Sequence, residues 1–146
     1  MRGDKLQSDE TRRRTKTNPS SSSEQEERIG VKHVEDIAKE VVGAGQGVFK
    51  QVLIGPDEGP HFAMRRFTIE PGGFMPKHTN EVEHEQYVLS GRARIAIGEE
   101  EYEVGPGDVV FIPAKVPHWY RTLGDEPFVF ICVVPNMPDK TTILPE

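Results

Sequence analysis

Cysteine is nearly absent: Cys132 is the only one in 146 residues. A single thiol excludes an intrachain disulfide framework and every multi-cysteine zinc or iron–sulfur site. It fits the reducing interior of a cell, and a cytoplasmic location is expected. Long apolar runs are missing too. No stretch of about 18 apolar residues could span a bilayer, and the first residues lack the roughly 7–15-residue apolar core of a secretory signal. Positive charge is in deficit, with 18 Lys+Arg against 24 Asp+Glu and a net charge of −6. Without a basic stripe or a basic balance, neither nucleic acid nor an anionic membrane surface is an expected partner. Hydrophobic residues make up only 35% of the chain, so part of it lies outside any core.

That part is N-terminal. Residues 1–30 hold 7 basic and 6 acidic side chains, the run Arg12-Arg13-Arg14 and the tract Ser20 to Ser23, with only Met1, Leu6 and Ile29 apolar. Such a segment cannot bury enough apolar surface to offset its chain entropy, which predicts a disordered arm over 1–30 and a single domain over 31–146. The 11 basic and 18 acidic residues that remain put a net −7 on the folded part.

Within 31–146, Val34 to Val42 reads as one or two helical turns stopped by Gly43, although Val41-Val42 also suits a strand. From there the pattern changes to short β-branched and aromatic runs, which predict strands over 48–54, 61–70, 85–90, 93–97, 101–104, 109–113, 118–123 and 127–134. Turn signals separate them: Gly55 to Gly59, Pro71-Gly72-Gly73, Gly98-Glu99-Glu100, Gly105 to Asp108 and Gly124-Asp125-Glu126. So many strands in so little chain leave no room for crossover helices, which predicts an all-β antiparallel sandwich or barrel. Phe62, Met64, Phe67, Phe74, Phe111, Trp119, Phe128 and Phe130 are the expected apolar wall, and Cys132 is expected to act as a small buried hydrophobe.

Chemistry concentrates in the histidines. His33 and His61 are read as surface or strand residues, whereas His78, His84 and His118 fall where a barrel can bring them together. Asn80, two residues beyond His78, shares its strand face. His84 is six residues on, roughly 20 Å along a straight strand, so the chain must turn near Glu81-Val82-Glu83 for both to reach one ion. Pro113 and Pro117 bracket the loop that delivers His118. Three neutral imidazoles and an amide oxygen suit one divalent first-row transition metal, Mn, Fe, Co, Ni or Zn, better than Ca or Mg. Alternation puts Gln86 and Tyr120 on the same face as His84 and His118. One of Arg65 and Arg66 should point inward and pair with an acidic substrate, but parity alone does not choose between them.

The segments PGGFMPKHTNEVEHEQYVLSG (71–91) and GPGDVVFIPAKVPH (105–118) resemble the two motifs of the cupin family, in order and at the right separation. The resemblance runs from about Val31 to Pro135 and implies the cupin double-stranded β-helix, a jelly-roll barrel. It implies His78, His84 and His118 as metal ligands, with Asn80 where the family's four-histidine variant has a second histidine. Three arrangements are compatible with that departure: three histidines with an open position, three histidines plus Asn80, or a barrel without tight metal binding. The resemblance further implies a homodimer and a small-molecule substrate or ligand. The leading expectation is a metal-dependent, dioxygenase-like enzyme acting on a small oxygenated or acidic molecule, with Tyr120 or Gln86 positioning it. A non-catalytic binding or sensor module and a metal-dependent isomerase or lyase are the alternatives.

Overall fold

In the computed structural model, which describes residues 30–145, alternating runs build ten strands among the described residues. They are β1 (Glu40–Val41), β2 (Gln46–Ile54), β3 (Phe62–Thr79), β4 (His84–Ser90), β5 (Arg92–Ile97), β6 (Glu100–Val104), β7 (Val109–Ile112), β8 (His118–Leu123), β9 (Phe128–Pro135) and β10 (Thr142–Ile143). All pairings are antiparallel, in the order β6-β5-β8-β3-β9-β4-β7, with β1-β2 and β10 attached through β3. This is the interleaved topology of a jelly roll, as the sequence predicts. The strands belong to a unit that starts at Ile37. Before it, the described residues contribute one 3-10 turn, Val34–Asp36, with no buried side chain. Apart from Gly30, the arm expected over 1–30 lies outside the described residues.

β3 is the central element that joins the two halves of the one continuous sheet. Its first half, Phe62 to Ile69, pairs with β9, and its second half, Phe74 to His78, pairs with β8. Between the halves lies Pro71-Gly72-Gly73, expected as a turn between strands but found inside one bent strand. Gly73 makes the bend possible: a Cβ there would sit 2.5 Å from the Gln46 carbonyl oxygen and 2.9 Å from that of Glu70. One hydrophobic core lies on the inward face of the sheet. Ile69, Ile95, Ile112 and Phe128 are almost wholly buried, each contributing roughly 1.5–3 kcal/mol of burial free energy. Phe130 stacks on both Phe67 and Tyr120, with ring centroids 5.3 Å apart in each pair.

Several expectations need correction. Val34 to Val42 is not a helix; after the 3-10 turn, Glu40 and Val41 pair with Lys50 and Phe49. The Ile37 carbonyl is taken by the Gln51 amide at 2.9 Å, and the β-branched Val41 follows its strand preference. Phe62 and Phe111 are not part of the wall, being 63% and 53% exposed. Val110 and Ile112 are the inward residues of β7, so alternation turns Phe111 outward. Trp119 is only half-buried for the same reason, since its neighbours His118 and Tyr120 face the interior. Among the described residues no helix is long and apolar enough to cross a membrane.

Candidate functional site

Strand pairing builds the site from β3, β4 and β8. In the β3–β8 register His78 stands directly opposite His118, after a bulge that follows Met75. Their ring centroids are 4.2 Å apart. The chain leaves strand geometry over residues 80–83 and returns in β4, which brings in His84 with its ring 5.7 Å from that of His118. The turn expected at Glu81-Val82-Glu83 is therefore present. All three imidazoles and Asn80 are buried.

Hydrogen bonds orient these groups. His78 Nδ1 lies 2.7 Å from the Pro76 carbonyl and His118 Nδ1 lies 2.9 Å from that of Val116. A carbonyl can only accept, so Nδ1 carries the proton in each ring and Nε2 keeps its lone pair. His84 Nδ1 is 3.5 Å from the Cys132 sulfur. The Asn80 amide nitrogen donates to Asp139 Oδ2 (3.2 Å) and to Thr141 Oγ1 (2.9 Å), which turns Oδ1 the other way. Among the described residues, four buried side-chain polar atoms have no hydrogen-bond partner: His84 Nε2, His118 Nε2, Asn80 Oδ1 and Arg65 Nε. Buried polar atoms are nearly always satisfied, so four orphans gathered in one place call for a ligand. A donor set of imidazole lone pairs with one amide oxygen fits a first-row divalent ion, and the carbonyl contacts at Nδ1 are the kind of support that fixes ligating histidines. The side chains are clustered but not preset around one point: among the described residues no three His, Cys, Asp or Glu groups meet coordination spacing.

A cavity of about 230 Å³ opens beside the cluster. Its polar lining includes His78, His84, Gln86, Tyr120, Arg65 and Lys50, while His118 lies behind it, packed on His78. Gln86 Nε2 donates to the Tyr120 hydroxyl at 2.7 Å. Burial, followed by the nearby Cys132, holds the Tyr120 phenol well above the ordinary tyrosine range. The hydroxyl therefore stays protonated, with its own hydrogen free to donate while its oxygen accepts from Gln86.

A family model described as the cupin domain matches residues 65–134. The polyketide cyclase RemF from Streptomyces resistomycificus superposes with a TM-score of 0.71 at 31% identity, over 82% of this chain and 89% of that one. A cupin-2 domain protein from Rhodospirillum rubrum superposes with a TM-score of 0.66 at 30% identity, over 75% of this chain and 74% of its own length. The chain is a cupin. Among curated relatives, the 1-methylthio-D-xylulose 5-phosphate methylsulfurylase of Rhodospirillum rubrum is 32% identical over 95 residues, 65% of this chain. The oxalate decarboxylase of Bacillus subtilis is 34% identical over 70 residues, 44% of this chain. The cupin spans 60% of the methylsulfurylase and 18% of the decarboxylase.

Some of the site was out of reach of the sequence. Parity left Arg65 and Arg66 undecided; in the cupin Arg65 lines the cavity, and Arg66 donates to Gln51 Oε1 at 3.1 Å. Cys132 is buried as expected, yet its sulfur meets Arg65 Nη2 (3.4 Å), His84 and Gln86, so it is a polar contact as well as a filler. Asp139 and Thr141, which orient Asn80, follow the last predicted strand, where no turn or alternation signal marks them. Glu83 and Glu85 are exposed, on the face opposite His84 and Gln86, and do not line the cavity.

Burial pushes the buried histidines towards their neutral forms. His84 is held at about 3 by desolvation, then by the Arg65 and His118 charges, and His118 at about 4 by desolvation, then by His78. His78 is lowered as well, by burial against the pull of the Pro76 carbonyl. Below pH 6.5 the unfolded chain takes up protons that the folded chain refuses, so stability falls as pH falls from about 6.5 towards 4. At about 1.4 kcal/mol per unit for each of His84 and His118, lowering the pH from 6.5 to 5 removes on the order of 4 kcal/mol. Urea melts of metal-free protein at pH 7.5, 6 and 5 check this, and a constant midpoint would contradict burial of neutral rings.

Proposed function

We propose that this cupin is a mononuclear metal-dependent enzyme acting on a small oxygenated or acidic molecule. The observation that carries the reading is that His84, Asn80 and Arg65, which line one small cavity, each hold a partnerless buried atom (Nε2, Oδ1 and Nε), as does His118 (Nε2), whose ring packs on the cavity-lining His78. His78, His84 and His118 would hold such an ion through their imidazoles, and Asn80 would add its Oδ1. When bound, a divalent first-row ion polarises substrate oxygens or, if redox-active, activates dioxygen. The chain's own contributions are distinct from that. Tyr120 donates its hydroxyl hydrogen to a substrate oxygen, and Gln86 fixes the direction of that donation. Phe67, Phe130 and Met75 line the cavity with apolar surface that limits water and strengthens the polar contacts.

Dioxygenase chemistry is the first reaction class to test. The relatives named above, a decarboxylase, a methylsulfurylase and a cyclase, support a second reading in which no oxygen is consumed. Oxygen uptake by protein loaded separately with Fe, Mn and Ni, on a panel of catechols, diketones and hydroxy acids, distinguishes the two. Metal analysis beside His78→Ala comes first: a wild type that takes up none of these ions when supplied sinks the metal site. Metal uptake with ligand-induced thermal shifts but no turnover would replace the enzyme by a binding module. Tyr120→Phe is expected to lower turnover by on the order of a hundredfold, as removal of one preorganised donor does, with metal content unchanged.

A further inference from the structure

The groups in the cavity that a metal ion leaves unaccounted for are cationic. Arg65 is held in place: its guanidinium carbon lies 5.2 Å from the centre of the Phe67 ring, and Nη2 touches the Cys132 sulfur at 3.4 Å. Its Nε is buried without any hydrogen-bond partner. Among the described residues no carboxylate forms an ion pair with it, although the side chain is half-buried. Lys50 lines the same cavity. The acid that does line it, Asp139, is committed to the Asn80 amide and to the backbone amides of Glu81 and Lys140. A guanidinium presents a planar fork of donors that matches an oxyanion. The Cys132 sulfur touches both Arg65 Nη2 (3.4 Å) and His84 Nδ1 (3.5 Å), so a group on the fork lies near the imidazole cluster.

We propose that Arg65, assisted by Lys50, is an oxyanion-binding subsite and that the substrate is a small anionic molecule whose carboxylate sits on this fork. The inference rests on the enzyme reading above, which it deepens by naming the substrate class. At about 230 Å³ the cavity falls below the roughly 300 Å³ at which pockets for drug-sized ligands begin, so the molecule is a small acid rather than a large conjugated one. Carboxylate is chosen over phosphate because a planar two-oxygen group uses the fork side-on without a third oxygen to place among Phe67, Phe130 and the Cys132 sulfur.

The test uses the full chain without metal, so that it does not depend on the ion. Malonate, inorganic phosphate and neutral malonamide are titrated while the arginine Nε–H resonances are followed by NMR, in wild type, Arg65→Gln, Arg65→Lys and Lys50→Ala. Malonate is expected to move one arginine Nε–H resonance that is absent from Arg65→Gln, and to bind that variant at least tenfold more weakly. Lys50→Ala should weaken it severalfold, and malonamide should not bind. Phosphate binding as tightly as malonate would overturn the choice of carboxylate. Equal malonate affinity in wild type and Arg65→Gln, or equal binding of malonamide, would overturn the subsite itself. Arg65→Lys keeps the charge but loses the fork; it guards against misfolding of the glutamine variant and is expected to bind at an intermediate level. Failure of metal uptake with malonate binding intact would defeat the metal reading alone.

Discussion

Gly91→Ala is expected to leave the protein insoluble or to lower its melting temperature by about 15 °C or more. Gly91 connects β4 to β5, which lie in opposite halves of the sheet order, and has a φ of +80°, a conformation that costs an alanine about 1–2 kcal/mol. Space is the larger problem. A Cβ at this position would run into the Pro127 carbonyl oxygen and lie 2.8 Å from the Phe128 Cα, both of them backbone atoms at the start of β9. Neither atom can yield without moving Phe128, which is 1% exposed at the centre of the core. Strain and overlap together place the substitution in the exceptional class above about 4 kcal/mol. Gly107→Ala is the control: its φ is +91°, but nothing lies within 4 Å of the added methyl, so only the conformational cost remains. Thermal melts of the two variants beside wild type measure the difference, and similar melting temperatures for both would refute the steric argument.

His118→Ala is expected to lower affinity for the first-row ions by on the order of a thousandfold, beyond the 10–100-fold that loss of an outer supporting partner costs. The residue is 2% exposed, stands opposite His78 in the β3–β8 register, and is within ring contact of both other imidazoles. Removing it deletes an orphaned Nε2 and empties the position between His78 and His84. His61→Ala, an exposed histidine on the neighbouring strand terminus, is expected to leave metal uptake unchanged. Competition with a chromophoric chelator gives both affinities. Wild-type affinity retained by His118→Ala would remove this histidine from the ligand set.

The parts of the molecule that were legible in the sequence share a physical cause. Turn chemistry and two-residue alternation are local, so eight of the ten strands, the cupin motifs and the inward set His84, Gln86, His118 and Tyr120 follow from adjacent residues. Applied consistently, the same alternation excludes Trp119 and Phe111 from the wall, because His118 and Ile112 already take the inward parity. What escaped depends on pairing at a distance. Arg65 meets Cys132 because β3 pairs with β9 across 67 residues, and Asn80 is oriented by Asp139 across 59. β1 and β10, two residues each, carry too little pattern to be read locally. The bend in β3 was taken for a turn because Pro71-Gly72-Gly73 signals both.

That bent strand has a dynamic consequence. Arg65 and His78 sit on one continuous β3 that is paired along most of its length, so the two halves of the cavity wall cannot hinge apart without breaking its pairing with β2, β8 and β9. The rim is different: β10 meets β3 through Thr142 and Ile143, both exposed, with one further backbone bond from the Leu144 amide to the Lys77 carbonyl. Amide protons of β3 should therefore exchange with solvent only through global opening, while those of the 139–144 segment exchange by local fraying. One site then holds two exchange classes, and Asn80, tied to Asp139 and Thr141, is the ligand-side group whose surroundings follow the faster one.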